Sequence, residues 1–155
     1  MVNKNITAQV VVNILAQVKV DGNLFKDRVL VKTVFGRNAE LRTVQGGLPD
    51  LIPNDSNSTF ELESALTTDL IDSVNPPTDT KSLSYFIYQI HTLGKFPIIT
   101  VEKIDSGAQA TPKTGNLKYD GWITEVVPGD KVEGESVPNF ILRGQIKAFT
   151  QFLKA

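Results

Sequence analysis

The chain predicts a mainly β fold, an antiparallel β-sandwich or barrel of about seven strands with one α-helix near residues 82–94. Three observations carry that expectation. Apolar and polar residues alternate with period two in several separate runs, the pattern of sheets with one buried face. Clusters of Gly, Pro, Asp and Asn divide those runs at short intervals, as in sandwiches and barrels rather than parallel α/β sheets. One stretch alone places apolar residues at helical spacing. With 155 residues and no internal repeat, 1–155 reads as a single domain, able to bury about 70% of its unfolded surface.

The first strand is expected over 10–20. Val10, Val12, Ile14, Ala16, Val18 and Val20 fall on even positions, against Gln9, Asn13, Gln17 and Lys19 on odd ones. Asp21-Gly22-Asn23 tolerates positive φ. Residues 24–35 then resume the alternation, with Phe25, Val29, Val31 and Phe35 opposite Lys26, Arg28 and Lys32, so 10–35 predicts a long hairpin. A short strand is expected over 40–44, after Gly36-Arg37-Asn38. Residues 46–58 read as a loop because they hold Gly46-Gly47, Pro49 and Pro53. That loop nevertheless carries Leu48, Leu51 and Ile52, which either tuck back onto the domain's own core or cover a neighbouring subunit. Residues 59–66 form another strand, with Phe60, Leu62 and Leu66 on one face and Glu61 and Glu63 on the other.

Pro76-Pro77 breaks the chain before the helix. Thr80 or Ser82 can cap its start, Leu83, Phe86, Ile87 and Ile90 form its apolar stripe, and Gly94 stops it with Pro97 just beyond. Strands follow over 97–104 and 116–127, separated by a small-residue loop over 105–115. A turn over 128–136 leads to a long terminal strand, 137–153, either continuous or broken near Gly144.

Charge is segregated along the chain. Residues 43–80 contain no Lys or Arg but seven acids: Asp50, Asp55, Glu61, Glu63, Asp69, Asp72 and Asp79. Residues 1–42 hold seven basic side chains against three acidic ones, and 81–155 hold nine against seven. Unlike faces on one small domain suit stacking on copies of itself, because opposite potentials favour one register. The net charge of −1 argues against a generic polyanion binder. The absence of cysteine excludes disulfides and thiolate metal sites. No run approaches the ~18 apolar residues that a membrane helix needs, so no membrane partner is expected.

No reaction centre emerges. His91 is the only histidine and lies one residue beyond the apolar stripe of the helix, where it reads as structural. Glu61 and Glu63 share the polar face of one strand, Gly46-Gly47 lacks the rest of a phosphate loop, and the acids from Asp50 to Asp55 lack EF-hand spacing. Tyr119 and Trp122 lie near Lys118 but on opposite strand faces, and core packing is the expected role of Trp122. No catalytic residue, cofactor or metal ligand is expected.

The order of elements after Pro76 resembles a known family. A single amphipathic helix, Leu83-Ser84-Tyr85-Phe86-Ile87-Tyr88-Gln89-Ile90, precedes the short strand Ile98-Ile99-Thr100-Val101 and a loop. Next come a strand with Tyr119-Asp120-Gly121-Trp122-Ile123-Thr124-Glu125-Val126 and a terminal strand ending Phe149-Thr150-Gln151-Phe152-Leu153. This order is similar to that of the tail-tube proteins of tailed bacteriophages, whose fold is shared with the inner tubes of contractile injection systems. The resemblance covers roughly the C-terminal half. It implies a β-sandwich whose protomers join edge to edge into hexameric rings, stacked into a tube through which DNA passes without specific binding. It also implies identical subunits as partners, with sheath, baseplate or tape-measure proteins beside them, in a virion tail assembled in the host cytoplasm. On this resemblance Leu48, Leu51 and Ile52 are expected at inter-subunit contacts, and Asp50, Asp55, Glu61 and Glu63 on lumen or stacking surfaces. The competing expectation is a carbohydrate- or receptor-binding β-sandwich of a phage tail or baseplate, using Tyr119 and Trp122 as a sugar platform.

Overall fold

A computed structural model of the chain describes residues 4–43, 46–65, 76–103, 117–129 and 139–151. The expected loop over 105–115, residues 130–136 of the expected turn, the end of the terminal strand after Gln151, and the acids Asp69 and Asp72 lie outside them. The described residues form seven strands: β1 (Lys4–Val20), β2 (Asn23–Thr43), β3 (Pro49–Ser56), β4 (Thr59–Ala65), β5 (Ile98–Lys103), β6 (Lys118–Pro128) and β7 (Asn139–Gln151). A helix, α1 (Leu83–Ile87), runs on into a π-helical turn over Tyr88–Thr92. Every strand pairing is antiparallel, in the order β1-β5-β6-β7-β4-β2-β3. The further pairing of β1 with β2 closes six of these strands into a barrel and leaves β3 outside it. The mainly β expectation holds, in its barrel form.

Local chemistry accounts for the closure. Val20 pairs with Asn23, so Asp21 and Gly22 alone make the connection, with φ of 49° and 83°. Two consecutive positive φ values define the turn whose twist matches two long strands, and Asp-Gly supplies them at low cost. The alternation read from the sequence then directs Ile14, Ala16, Val18 and Val20 inward beside Phe25 and Val31. Across the barrel they meet Phe60, Leu62, Ile99, Val101, Tyr119, Ile123, Phe140 and Leu142.

The largest of these rings need room. Phe60 lies over two glycines, and a methyl at either Gly121 or Gly144 would come within 2.6 Å of its ring. Tyr119 is fully buried with its ring 6.4 Å from that of Phe60, and its hydroxyl hydrogen-bonds to the buried Thr33 hydroxyl at 2.8 Å. Removal from water pushes the Tyr119 phenol up to about 12, against a smaller opposing effect of the Thr33 hydroxyl.

The helix begins as the sequence implies, with the Ser82 hydroxyl accepting from the Tyr85 amide at 3.1 Å, and Gly94 follows it at φ 62°. Its apolar stripe divides, however. Phe86 is buried edge-on against Phe25, with ring centres 6.5 Å apart, and Leu83 is partly covered, whereas Ile87 and Ile90 face outward. One α turn docks, and the wider π turn carries Ile90 away from the line of Phe86. Asp21 ties the hairpin turn to this helix: its carboxylate accepts from the Tyr85 hydroxyl at 2.5 Å, from Gln89 Nε2 at 2.8 Å and from the Ile98 amide at 3.1 Å. Burial first, and then this carboxylate, push the Tyr85 phenol up to about 12.

Two element boundaries differ from expectation. β2 runs unbroken through Gly36 to Thr43, so the strand expected over 40–44 is, as far as Thr43, a continuation of it, and Val44 lies outside the described residues. The carbonyl of Asn57 occupies the space where a Cβ at Gly36 would sit, so this glycine serves a close approach and not a break. The expected loop 46–58 contains β3, which pairs with β2 from Arg37↔Ser56 to Thr43↔Pro49. Pro49 and Pro53 are compatible with a strand that has one neighbour among the described residues, since a missing amide costs nothing on an open edge.

Two measurements check this core. Gly121→Ala, whose added methyl would meet the Phe60 ring first, is expected to cost about 1–3 kcal/mol through overpacking, seen as a lowered thermal midpoint, with part of the loss recovered by adding Phe60→Leu. Because the fold favours the neutral Tyr119 phenol, its contribution is complete below pH 10 and disappears as pH rises through about 12. Alkaline denaturant titrations should lose roughly 2–3 kcal/mol across that window, and Tyr119→Phe should flatten the decline.

Candidate assembly surface

The two longest strands outgrow the barrel. β1 pairs with β5 only over Ala16–Val20, and β2 pairs with β4 only over Val31–Val34. Beyond those limits the start of β1, the end of β2 and the whole of β3 continue as a three-stranded arm. The arm leaves the barrel at Gly36, whose amide donates to the Ser58 hydroxyl at 3.3 Å and whose carbonyl accepts from the Asn57 amide at 2.9 Å.

Several strand edges have no partner strand among the described residues, and they differ in chemistry. The free edge of β2 over 23–30 carries Lys26 and Arg28. That of β3 carries Pro49, Pro53, Asp50 and Asp55, and that of β7 beyond Ile146 is short. Prolines and charges of this kind discourage pairing with another chain. The edge of β1 over 4–15 is the longest, has no proline, and holds a single charge, Lys4, at its end. Beside it a groove of about 550 Å³ opens between arm and barrel, lined by Ala8, Val10, Phe35 and Phe149 among others. Phe35 and Phe149 stack across it with centres 5.8 Å apart.

The aliphatic residues singled out from the sequence belong to the arm. Leu48 is 70% exposed in the turn after Gly46-Gly47, Leu51 is 50% exposed and Ile52 is 38% exposed. They do not tuck onto the domain's own core. Leu51 and Ile52 are consecutive in β3 and face opposite sides, the first opposite Leu41 and the second opposite Glu40. The arm therefore presents apolar surface on both faces, and Val10, 59% exposed, adds to it.

The four acids separate into two groups. Asp50 and Asp55 are exposed on β3, where Asp50 lies opposite Arg42 in a strand pair whose arginine already binds Glu40 at 2.7 Å. Glu61 and Glu63 stand on the barrel wall with cross-strand partners. Arg143 Nε meets Glu61 at 2.8 Å and its Nη1 lies 3.8 Å from Glu125, while Asn139 Nδ2 donates to Glu63 at 3.1 Å. The carboxylates raise the already high Arg143 pKa, Glu61 most of all. The acid-rich segment thus forms no single acidic face among the described residues.

Trp122 departs from its expected place in the core. Its neighbours Gly121 and Ile123 face inward, so the strand alternation turns Trp122 out, 37% exposed, opposite Ile98 and with Lys147 Nζ 5.6 Å from its ring centre. Tyr119 is buried, so the two aromatics cannot form one platform. His91 is exposed beside a shallow apolar pocket of about 240 Å³ between the helix and β6, lined by Ile87, Ile90, Thr124 and Val126. Among the described residues, no cluster of three or more His, Asp or Glu side chains could hold a metal ion, and no helix is long and apolar enough to cross a membrane. No protein-family model, no curated protein and no solved structure matches the chain.

Trp122 is the only tryptophan, which gives its placement a direct check. Iodide and acrylamide should both quench the fluorescence of the folded protein, and Lys147→Glu should weaken quenching by iodide while leaving acrylamide unaffected. A blue-shifted, unquenched emission would contradict the outward orientation.

Proposed function

We propose that this chain is an architectural subunit whose copies join edge to edge into rings that stack as a hollow tube of the bacteriophage-tail kind. The observation that carries the reading is the long β1 edge, which has no partner strand among the described residues, next to an arm with apolar residues on both faces. Long uncovered edges favour association, and a closed ring removes them. Leu48, Leu51 and Ile52 would then cover neighbouring subunits, with Leu51 and Ile52 serving opposite sides of the arm. Asp50 and Asp55, exposed on the arm, suit a surface that repels the DNA backbone. Glu61 and Glu63, held by Arg143 and Asn139, suit contacts between mixed-charge walls. The chemistry proposed is assembly and not catalysis, with identical subunits as chief partners, sheath, baseplate or tape-measure proteins beyond them, and the virion tail as the setting.

One observation favours a second reading. The exposed Trp122 ring beside Ile98 and Lys147 is a flat apolar surface of the sort that stacks on a sugar, as expected of a receptor-binding module. Tyr119 takes no part in it.

Negative-stain microscopy of the purified chain at rising concentration separates the two. Rings or tubes with a central hole are expected, and Leu51→Asp should reduce them at least tenfold without changing the thermal midpoint. Persistent small particles whose Trp122 fluorescence shifts on adding glycans would overturn the tube reading in favour of the second.

A further inference from the structure

The residues along the free edge of β1 are complementary to themselves. Ile6, Ala8, Val10, Val12 and Ile14 share one face, the face that continues inward as Ala16, Val18 and Val20, while Asn5, Thr7, Gln9, Val11, Asn13 and Leu15 share the other. In an antiparallel pair, residues directly opposite one another lie on the same face. Two copies of β1 related by a two-fold axis perpendicular to the sheet must therefore pair even residues with even and odd with odd. A one-residue slip would set the apolar row against the polar row.

Centring the axis on Gln9 would place Lys4 opposite Ile14, which is buried at the barrel entrance, and charge there is costly. Centring it on Val10 pairs Ile6 with Ile14, Ala8 with Val12, Val10 with itself and Thr7 with Asn13, and leaves Lys4 outside the paired stretch. No like charges meet, because this stretch carries none. The added strand also extends the apolar row of Ala8 and Val10 that borders the groove under Phe35 and Phe149. β3 is a poor alternative occupant, since Pro49 and Pro53 cannot donate and Asp50 and Asp55 resist burial.

We infer that β1 pairs antiparallel with β1 of a second copy across a two-fold axis at Val10, making the free subunit an isologous dimer. This inference rests on the edge itself and not on the tube reading. Where tubes form, the dimer must open first, because a two-fold contact consumes the edge and cannot be propagated head to tail. The pairing would thus hold subunits in reserve until assembly begins.

The chain has no cysteine, so single cysteines report the contact cleanly. Val10→Cys should cross-link under mild oxidation to a species of twice the chain's 17.0 kDa. Ala8→Cys should not, because residue 8 of one copy lies four residues, roughly 13 Å, from residue 8 of the other. Val10→Arg and Val10→Asp should each sediment as monomers, and their equimolar mixture should recover the dimer. Equal cross-linking at positions 8 and 10, or an arginine variant that stays dimeric, overturns the inference. Rings seen by microscopy without cross-linking at position 10 would also overturn it and leave the tube reading standing. Cross-linked dimers that never yield rings would support it and count against the tube.

Discussion

The structure depends on a mismatch of length. β1 has 17 residues and β2 has 21, whereas the barrel walls they join, β5 and β4, have 6 and 7. Once Asp21-Gly22 fixes the hairpin, the surplus of both strands must emerge at the end of the barrel remote from the turn. A hairpin of that length buries one face only where other strands lie against it. Beyond Ala16 toward the N-terminus nothing described covers the edge of β1, and the residues that would have been core, such as Val10, become surface. The arm, the groove and the open edge are all consequences of this single disproportion.

The two ends of the molecule are consequently built on different terms. At the turn end, Asp21 accepts three hydrogen bonds from the helix and β5, and Phe86 closes on Phe25. There the Asp21 carboxylate is matched and both Phe25 and Phe86 are buried. At the arm end, Phe35 and Phe149 stack in an open groove, and aliphatic side chains stand on both faces of β3. An interior finished at one end and unfinished at the other is what the assembly reading requires of a subunit.

Much of the fold was legible because it depends on local rules. The β1–β2 turn follows from Asp-Gly, the helix start from Ser82, its stop from Gly94, and the inward faces from period-two alternation. Where reading failed, long-range context had overruled the local signal. Pro49 and Pro53 argue for a loop until the strand is known to have one neighbour, and Gly36 argues for a break until Asn57 is found against it. Trp122 looked like core by composition, but its outward register is set by Gly121 and Ile123, which are small enough or apolar enough to face Phe60 and its neighbours. The candidate surface was half legible. The exposure of Leu48, Leu51 and Ile52 could be suspected from their place among turn residues, whereas the division of the acids could not be foreseen, because it rests on cross-strand partners as distant in sequence as Arg143 and Asn139.

Gly36 has a mechanical consequence. It is where β2 exchanges β4 for β3 as its neighbour; on that side it is held by the Asn57 amide and the Ser58 hydroxyl, and on the other it stays in register with Gln9 of β1. Seven residues of β2 extend past it, a lever of roughly 24 Å at about 3.4 Å per residue. A pivot of about 10° at this fulcrum would sweep the tip through roughly 4 Å, close to the spacing of adjacent strands. Modest give shared by Gly36 and the paired Gln9 would let the same arm, in the assembly proposed, meet neighbours set at slightly different angles.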